Sequence, residues 1–280
     1  MELAAAAAVA LTPQQKAALV VVSGLPAPRG VGGVFVHRTT RHLPRPPAAL
    51  VFVDQEGGEV RAFADAPPTS PARGYTTTTA AFLAGRATGR ALRASGVDVD
   101  LAPVVDLADG PLGSRHFRSP PLALAFAQGL RRGGVAACAK HFPGLGSAPY
   151  STDDRTDVMA RVRANELGAF AAAIRGGVEC VMTSHAFYAN GGRGRASLSP
   201  WTYRRLRALG FRGVAITDSM NFFRAVPAER WAQRAARAGA DMLLFTHPDY
   251  ARRAIRALVP LARAGELDAA VARIQRLQRR

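Results

Sequence analysis

Ionisable side chains in this sequence recur at the ends of short apolar runs. The pair Lys140-His141 ends the run that begins at Val135, and the Gly/Pro-rich stretch 142–146 follows it. The only other lysine is Lys16, since other basic positions are arginine. We therefore interpret Lys140 and His141 as retained for chemistry. A polar strand end before a tight turn would give the same pattern.

Five more residues share this placement, each at or just after the end of an apolar run: Asp54, Asp106, His185, Asp218 and His247. Carboxylates in such a set can act as a nucleophile or accept hydrogen bonds, and Lys and His can donate them or transfer protons. The C-terminal ends of the strands in a parallel barrel all open on one face, where active sites of this fold lie. The pattern therefore predicts an active site on that face.

The elements that must position these residues alternate along the whole chain. Apolar runs of strand length are 33–37, 50–54, 97–103, 135–141, 180–185, 213–218 and 241–247, while run 18–24 is a helix end or a strand. Helix-like stretches are 79–95, 121–133, 160–176, 200–209, 228–238 and 265–280. We expect helix starts at Pro13 and, with Ser199 as N-cap, at Pro200, and a turn at Pro248-Asp249. The alternation predicts an α/β fold, a TIM-type (β/α)8 barrel, possibly irregular, as one domain over 1–280.

Composition sets limits on partners. The formal net charge is +17, but the arginines are scattered at helix-like spacings, as on solvated outer faces. No aromatic-interleaved basic motif or zinc-ligand set accompanies them, so we expect no specific nucleic-acid partner, only non-specific attraction to polyanions such as acidic cell-wall polymers. No run of 18 apolar residues occurs, so no membrane span is expected.

Two further features of the sequence are its cysteines, which do not indicate the compartment, and its N-terminal segment. Cys138 and Cys180 lie inside strand-like runs, and we interpret them as buried thiols rather than a disulfide or a nucleophile. Residues 1–11 are apolar, but Glu2 replaces the basic start of a signal peptide, so we expect the mature domain to begin here. This predicts a cytoplasmic protein, unless an export signal lies upstream of Met1.

Eight segments, in order along the chain, together resemble one family. They are Asp54–Val60 (DQEGG-like), Ala102–Asp106 (APVxD-like), Gly113–Phe117, Lys140–Gly146 (KHFPGxG), Met182–His185, Ala196–Pro200, Ile216–Asn221 (TDxLNM-like) and Ala238–Leu244. The chain resembles family 3 glycoside hydrolases, in particular the single-domain β-N-acetylglucosaminidase type, from about Leu11 to near the C-terminus. The resemblance implies the barrel fold expected above.

The resemblance also implies a retaining mechanism, in which a carboxylate attacks the anomeric carbon and an acid protonates the leaving oxygen. It assigns Asp218 as nucleophile, although a helix N-cap is the alternative for this residue. It places Asp54, Arg115, Lys140 and His141 against the sugar. Arg115 could instead be a surface-loop residue. His185 is a further substrate-binding candidate, although His185 and His247 could simply be hydrogen-bonded strand-end residues.

The chain differs from its apparent family in the loop that should supply the acid. The family has an Asp-Ser-His there, whereas this chain has Ser151-Thr152-Asp153, and Leu145 replaces the His of the motif. Asp153, with Asp154 beside it, becomes the candidate acid/base; an exposed acidic turn is the alternative. The family Arg after the DQEGG segment is Ala62 here, so one sugar contact is expected to be lost, and the adjacent Arg61 should point the other way.

These observations predict a retaining exo-glycosidase that releases a terminal β-linked sugar through a covalent intermediate on Asp218. A β-N-acetylhexosamine from cell-wall-type glycans is the first expectation. The alternatives are β-glucosidase-type specificity and a non-catalytic sugar-binding relic. We expect a small saccharide or cell-wall glycan fragment as partner, no metal or other cofactor, and a monomer.

Overall fold

Parallel strands of buried residues form the centre of the computed structural model, which describes residues 11–107, 110–222 and 227–280. Among these residues, one sheet contains eight strands, in the order β7-β6-β5-β4-β3-β2-β1-β8. They are β1 (Val21–Ser23), β2 (Gly33–Phe35), β3 (Leu50–Val53), β4 (Val99–Asp100), β5 (Ala136–Phe142), β6 (Cys180–Thr183), β7 (Val214–Thr217) and β8 (Leu243–Phe245). A parallel bridge between Ile216 and Met242 joins the two edges. The sheet therefore closes into the barrel that the sequence predicted.

Helices follow the strands around the outside of the barrel. They are α1 (Pro13–Leu19), α2 (Thr78–Ala94), α3 (Pro120–Arg132), α4 (Ala164–Arg175), α5 (Pro200–Ala208), α6 (Ala228–Ala238), α7 (Pro248–Arg263) and α8 (Asp268–Gln278). Each helix buries an apolar stripe against the strands, as Leu258 on α7 and Ile274 on α8 illustrate. The starts at Pro13 and Pro200 are confirmed, and Thr12 and Gln15 form a capping box before α1.

Strand residues that the sequence assigned to continuous apolar runs are buried on both faces, as in other parallel barrels. The ambiguous run 18–24 contains both alternatives, because α1 ends at Leu19 and β1 begins at Val21. Within the residues described, no helix is both long and apolar enough to cross a membrane. The expectation for the N-terminal segment falls on residues 1–10, outside the described part of the chain.

Two sequence-based predictions are wrong. The turn expected at Pro248-Asp249 is the first turn of α7: Pro248 lacks only an amide that a helix start does not use, and His247 is the N-cap. The free thiols expected at Cys138 and Cys180 are a disulfide. The parallel register sets the two residues opposite each other on β5 and β6, with their Cα atoms 4.2 Å apart. This pairing depends on strand order, which the spacing of the cysteines does not reveal.

Candidate active site

The C-terminal ends of neighbouring strands bring the candidate residues to one face of the barrel. Asp54 directly follows β3, Lys140 and His141 are near the end of β5, and Asp218 directly follows β7. Each strand is short and fixed by buried neighbours, so the side chain at its end has a defined position. The face predicted from the sequence is therefore where these polar residues meet.

A chain of alternating charges crosses this face. The Lys140 ammonium lies 2.6 Å from Asp54 Oδ1 and 2.5 Å from Glu56 Oε1. Glu56 in turn accepts two hydrogen bonds of 2.8 Å from the Arg115 guanidinium, in a bidentate pair. Arg115 Nη1 also lies 3.7 Å from Asp153 Oδ2. Lys140 and Glu56 are buried, whereas the Asp54 side chain is 33% exposed and can meet a ligand.

The buried ions in this chain hold each other in the charged state. Burial alone would raise the pKa of Glu56, but Lys140 and Arg115 lower it to about 2. Burial would likewise lower the pKa of Lys140, but the carboxylates of Asp54 and Glu56 raise it above its ordinary value. Both groups are therefore ionised at neutral pH, and Glu56 fixes the positions of the two cations.

A tight hairpin after β3 carries Asp54 and Glu56. Strand residues Gln55–Gly57 pair with Val60–Arg61, and Gly57 takes a φ of +108°. A Cβ there would lie 2.3 Å from the Ser70 carbonyl oxygen, so this position requires glycine. The backbone amide of Gln55 donates to Asp100 Oδ1 at 2.9 Å, which connects the hairpin to the end of β4.

Asp100 is a buried carboxyl beneath this cluster. Its Oδ2 has no hydrogen-bond partner in the part of the chain that the structure describes. Burial raises the pKa of Asp100 to about 8, and the nearby carboxylates of Asp54 and Glu56 add to the rise. Asp100 is therefore mostly neutral at pH 7.

Asp106, which follows β4, orients His141 and the loop after β5. Its Oδ2 accepts from the His141 backbone amide at 3.0 Å and contacts ring Nδ1 at 2.8 Å. Its Oδ1 accepts from the Leu145 amide at 2.6 Å. Because Nδ1 of His141 then carries a proton that it donates to Asp106, the neutral ring keeps Nε2 as an acceptor.

Asp218 is half-buried, and its Oδ1 accepts from the Ser219 amide at 2.7 Å. Burial would raise the pKa of Asp218, but His185, His141 and Lys140 together hold it below the ordinary value. The carboxylate is therefore charged at neutral pH, as a nucleophile requires. The Ser219 contact also matches the alternative role of a cap, because a short 3-10 turn, Met220–Phe222, follows.

His185 is buried with both ring nitrogens in hydrogen-bond contacts. Nδ1 lies 2.7 Å from Ser197 Oγ, and Nε2 lies 3.0 Å from the Ser219 carbonyl oxygen. The carbonyl can only accept, so Nε2 carries the proton and Nδ1 accepts from Ser197. Burial lowers the pKa of His185, although Asp218 opposes the shift. A hydrogen bond from this ring to a sugar would have to displace one of these partners.

Asp153 lies on the outer part of the loop after β5, with its side chain 69% exposed. Its backbone amide donates to Ser151 Oγ at 3.1 Å, and its carboxylate contacts the same hydroxyl at 3.3 Å. Its contact with Arg115, at 3.7 Å, connects it to the charged chain that includes Glu56. Asp154 beside it is also exposed.

The remaining sequence candidates lie outside this cluster. Arg61 donates to the backbone oxygens of Gly58 and Ala64, both at 2.8 Å, so it serves the hairpin rather than a ligand. Ala62 is buried. His247 is exposed and caps α7 through Nδ1, which accepts from the Asp249 amide.

Sequence reasoning missed Glu56 and Asp100. Glu56 belongs to the DQEGG-like segment, and Asp100 is one of two aspartates, with Asp98, inside the strand-like run 97–103, so both had a visible signal. Their partners, Arg115, Lys140 and Gln55, are distant in sequence and meet only in the fold. Among the described residues, no group of three His, Cys, Asp or Glu side chains is arranged to hold a metal ion.

Comparison with known proteins identifies the family of this chain. The model of the Glycosyl hydrolase family 3 N terminal domain matches residues 36–277. A beta-hexosaminidase of Stenotrophomonas maltophilia strain K279a is 35% identical over 243 residues, which cover 77% of this chain and 71% of that protein.

Two solved structures have the same fold as this chain. A beta-N-acetylhexosaminidase from Beutenbergia cavernae superposes with a TM-score of 0.84 at 28% identity, covering 97% of this chain and 99% of that chain. A family 3 beta-N-acetylglucosaminidase from Paenibacillus sp. also has a TM-score of 0.84, at 27% identity, covering 96% of this chain and 62% of that chain.

Proposed function

Since the chain belongs to glycosyl hydrolase family 3, we propose that it is a retaining exo-glycosidase that releases a terminal β-linked N-acetylhexosamine from a saccharide or a cell-wall-type glycan fragment. The observation that carries the proposal is the ionised carboxylate of Asp218 at the end of β7, facing His185, His141 and Lys140. The relatives named beta-hexosaminidase support the choice of sugar. A β-glucosidase-type specificity uses the same cluster and is the alternative within the family.

In the proposed reaction, an oxygen of Asp218 attacks the anomeric carbon while the bond to the leaving oxygen breaks. Oδ1 is occupied by the Ser219 amide, so Oδ2 is the attacking atom. The leaving oxygen takes a proton from an acid, and water then cleaves the glycosyl ester after giving its proton to the same group as base. The sugar leaves with its anomeric configuration retained.

The charged chain next to Asp218 is suited to hold the sugar hydroxyls. The exposed part of Asp54 can accept hydrogen bonds from hydroxyls, while Lys140 and Arg115 can donate them. Two of the three Lys140 ammonium protons point to Asp54 and Glu56, which leaves the third for a ligand. His141, oriented by Asp106, offers ring Nε2 to the same pocket.

Asp153 is the proposed acid/base, and its contact with Arg115 connects it to the proposed sugar contacts. Its exposure sets a condition on this role, because a proton donor works best in partly dry surroundings. Bound substrate has to supply those surroundings by covering the loop. The same exposure favours the second candidate function, a non-catalytic sugar-binding relic.

A panel of aryl β-glycosides tests the enzymatic proposal, with the N-acetylglucosaminide, N-acetylgalactosaminide and glucoside compared. We expect turnover of an N-acetylhexosaminide and a loss on the order of 10⁴-fold in kcat for Asp218→Asn, with an unchanged unfolding curve. Substantial activity in Asp218→Asn would exclude this residue as the nucleophile. If no glycoside turns over but sugar still binds, the relic is the correct function.

Asp153→Ala tests the acid, and Asp154→Ala tests the neighbouring candidate with the same pair of substrates. Loss of an acid should slow substrates with poor leaving groups far more than activated aryl glycosides, because the former depend most on protonation. Added azide should restore turnover of the activated substrate, since it needs no general base. Equal losses on both substrates, or the same profile in Asp154→Ala, would remove Asp153 from the mechanism.

A further inference from the structure

The opposite face of the barrel, at the N-terminal ends of the strands, carries an arginine-rich cavity that the glycosidase proposal does not use. The cavity has a volume of about 450 Å³ and is lined by residues at the start of β7, such as Val214, by Glu179 before β6, and by arginines. A second cavity of about 570 Å³ adjoins it and shares Arg212, Arg273 and Arg276. Together they form a basic hollow on the far side of the barrel from Asp218, which we call the basal hollow.

The arginines of the basal hollow come from two elements that face each other. Residues 273, 276 and 280 lie three and four positions apart, on one side of α8 and its C-terminal end, so their side chains share a direction. Arg207 on α5 and Arg212 in the loop before β7 approach from the other side. The fold therefore concentrates guanidinium groups that are far apart in the sequence.

Only part of this positive charge is neutralised by the protein. Asp241 accepts from Arg207 at 2.5 Å and from Arg273 at 2.7 Å, so one carboxylate serves two cations. Glu179 Oε1 likewise lies 2.7 Å from Arg131 and 3.0 Å from Arg280. Each of the two sets keeps one positive charge in excess.

Arg212 and Arg276 add two charges that the protein leaves uncompensated. Both are exposed, and neither has a carboxylate partner within the described residues. Five arginines line the two cavities, and Asp241 and Glu179 neutralise two of them, so the hollow has a formal excess of three positive charges. Burial and the neighbouring guanidiniums of Arg131 and Arg93 lower the pKa of Arg280, although Glu179 opposes this. An anion bound in the hollow would relieve this repulsion.

We propose that the basal hollow is a binding site for a ligand that carries two or more phosphate groups, with Arg212 and Arg276 as the residues that contact it. A guanidinium presents paired donors that match two oxygens of one phosphate, and this bidentate contact favours phosphate over a halide. The volume of the hollow exceeds that of a single phosphate, and its three excess charges match a diphosphate better than a carboxylate. Its position on the far face leaves the sugar site accessible while the ligand is bound.

The test is isothermal titration of the full chain with inorganic pyrophosphate at low salt. The variant Arg212→Gln/Arg276→Gln removes the two uncompensated charges. The control Arg90→Gln/Arg256→Gln removes two exposed arginines from α2 and α7, outside both cavities, and so makes the same change in net charge. We expect saturable binding to the wild type, a loss of affinity of about tenfold or more in the first variant, and a change of less than about twofold in the control.

Long-chain polyphosphate, titrated in parallel, distinguishes the two sources of such a ligand. If polyphosphate binds more tightly than pyrophosphate at equal phosphate concentration, the ligand is a phosphate-bearing polymer. If the two probes bind equally, the ligand is a free diphosphate; both results support the site. Absence of saturable binding of both probes overturns the proposal. Equal weakening of both variants also overturns it, because it shows only the non-specific effect of net charge. Glycosidase activity should be the same in both variants.

Discussion

Replacement of Glu56 by Gln should destabilise the protein and make its stability less sensitive to acid. The pKa of Glu56 falls from 4.5 to about 2 in the fold. At about 1.4 kcal/mol for each pKa unit, the difference corresponds to about 3 kcal/mol. The Glu56 side chain is only 2% exposed, so solvent screening takes little from this value. A loss of about 3–5 kcal/mol in unfolding free energy is typical when one member of a buried ion pair is removed, which agrees with this value.

The direction of the pH dependence follows from the lowered pKa. A carboxylate with a folded pKa below its unfolded value stabilises the protein fully above the unfolded value, here above about pH 4.5. That contribution disappears as the pH falls through about 2. The free energies of unfolding of wild type and Glu56→Gln should therefore differ by a constant amount between pH 5 and 8. They should converge below pH 4.5.

Urea unfolding followed by circular dichroism at pH 7, 5 and 3 measures this difference. The matched control is Glu59→Gln, an exposed carboxylate three residues later on the same hairpin, which should change the unfolding free energy by less than about 0.5 kcal/mol. Two results would refute the reasoning: equal stability of Glu56→Gln and wild type at pH 7, or a difference that does not shrink in acid. Activity should also fall, because Arg115 and Lys140 lose the residue that positions both.

Two further predictions concern other buried groups. Asp100→Asn should gain stability relative to wild type between about pH 4 and pH 8 in urea unfolding, because folded Asp100 holds its proton up to about pH 8 whereas the unfolded chain releases it near pH 4. The free energy of unfolding of the wild type therefore falls over this range and levels off above it; parallel pH profiles of the two proteins would contradict this. If the disulfide is present, Ellman titration of the denatured, unreduced protein should find no free thiols; two titratable thiols would exclude the disulfide. The variant Cys138→Ala/Cys180→Ala should lose about 4 kcal/mol of unfolding free energy, because the bridge spans 42 residues.

The residues that the sequence located correctly are those whose position depends on local pattern alone. A carboxylate that ends an apolar run, as Asp54 and Asp218 do, must lie at the C-terminal edge of a parallel sheet, wherever that strand sits in the order. His247 has the same pattern but caps α7, because the helix begins one residue later and its Asp249 amide donates a hydrogen bond to the imidazole ring. Whether a strand-end residue faces the pocket or the next helix depends on the backbone after it, which periodicity does not describe.

Partnerships across the barrel could not be predicted in this way. Glu56 pairs with Arg115, 59 positions away, and Lys140 pairs with Asp54, 86 positions away. The disulfide has the same origin, since strand order alone makes Cys138 and Cys180 neighbours. A single sequence contains the types of these residues but not the strand order that joins them.

The loop after β5 combines a fixed base with an exposed tip, and this separates the proposed sugar contacts from the proposed acid. Its base is held by Asp106, which accepts from the Leu145 amide at 2.6 Å, and by Glu166, which accepts from the Gly146 amide at 2.8 Å. Leu145 is itself buried in a small apolar cluster with Val104, so its side chain packs where a histidine would be costly to bury.

Asp153 at the tip is exposed, and its contacts are with Ser151 in the same loop and with Arg115 at 3.7 Å. A substitution at the tip can therefore change the proposed proton donor while Asp54, Lys140 and His141 keep their geometry. For this reason a chain with a different residue at this position can retain its proposed sugar contacts, and turnover of the glycoside panel, rather than sugar affinity, decides between a hydrolase and a sugar-binding relic.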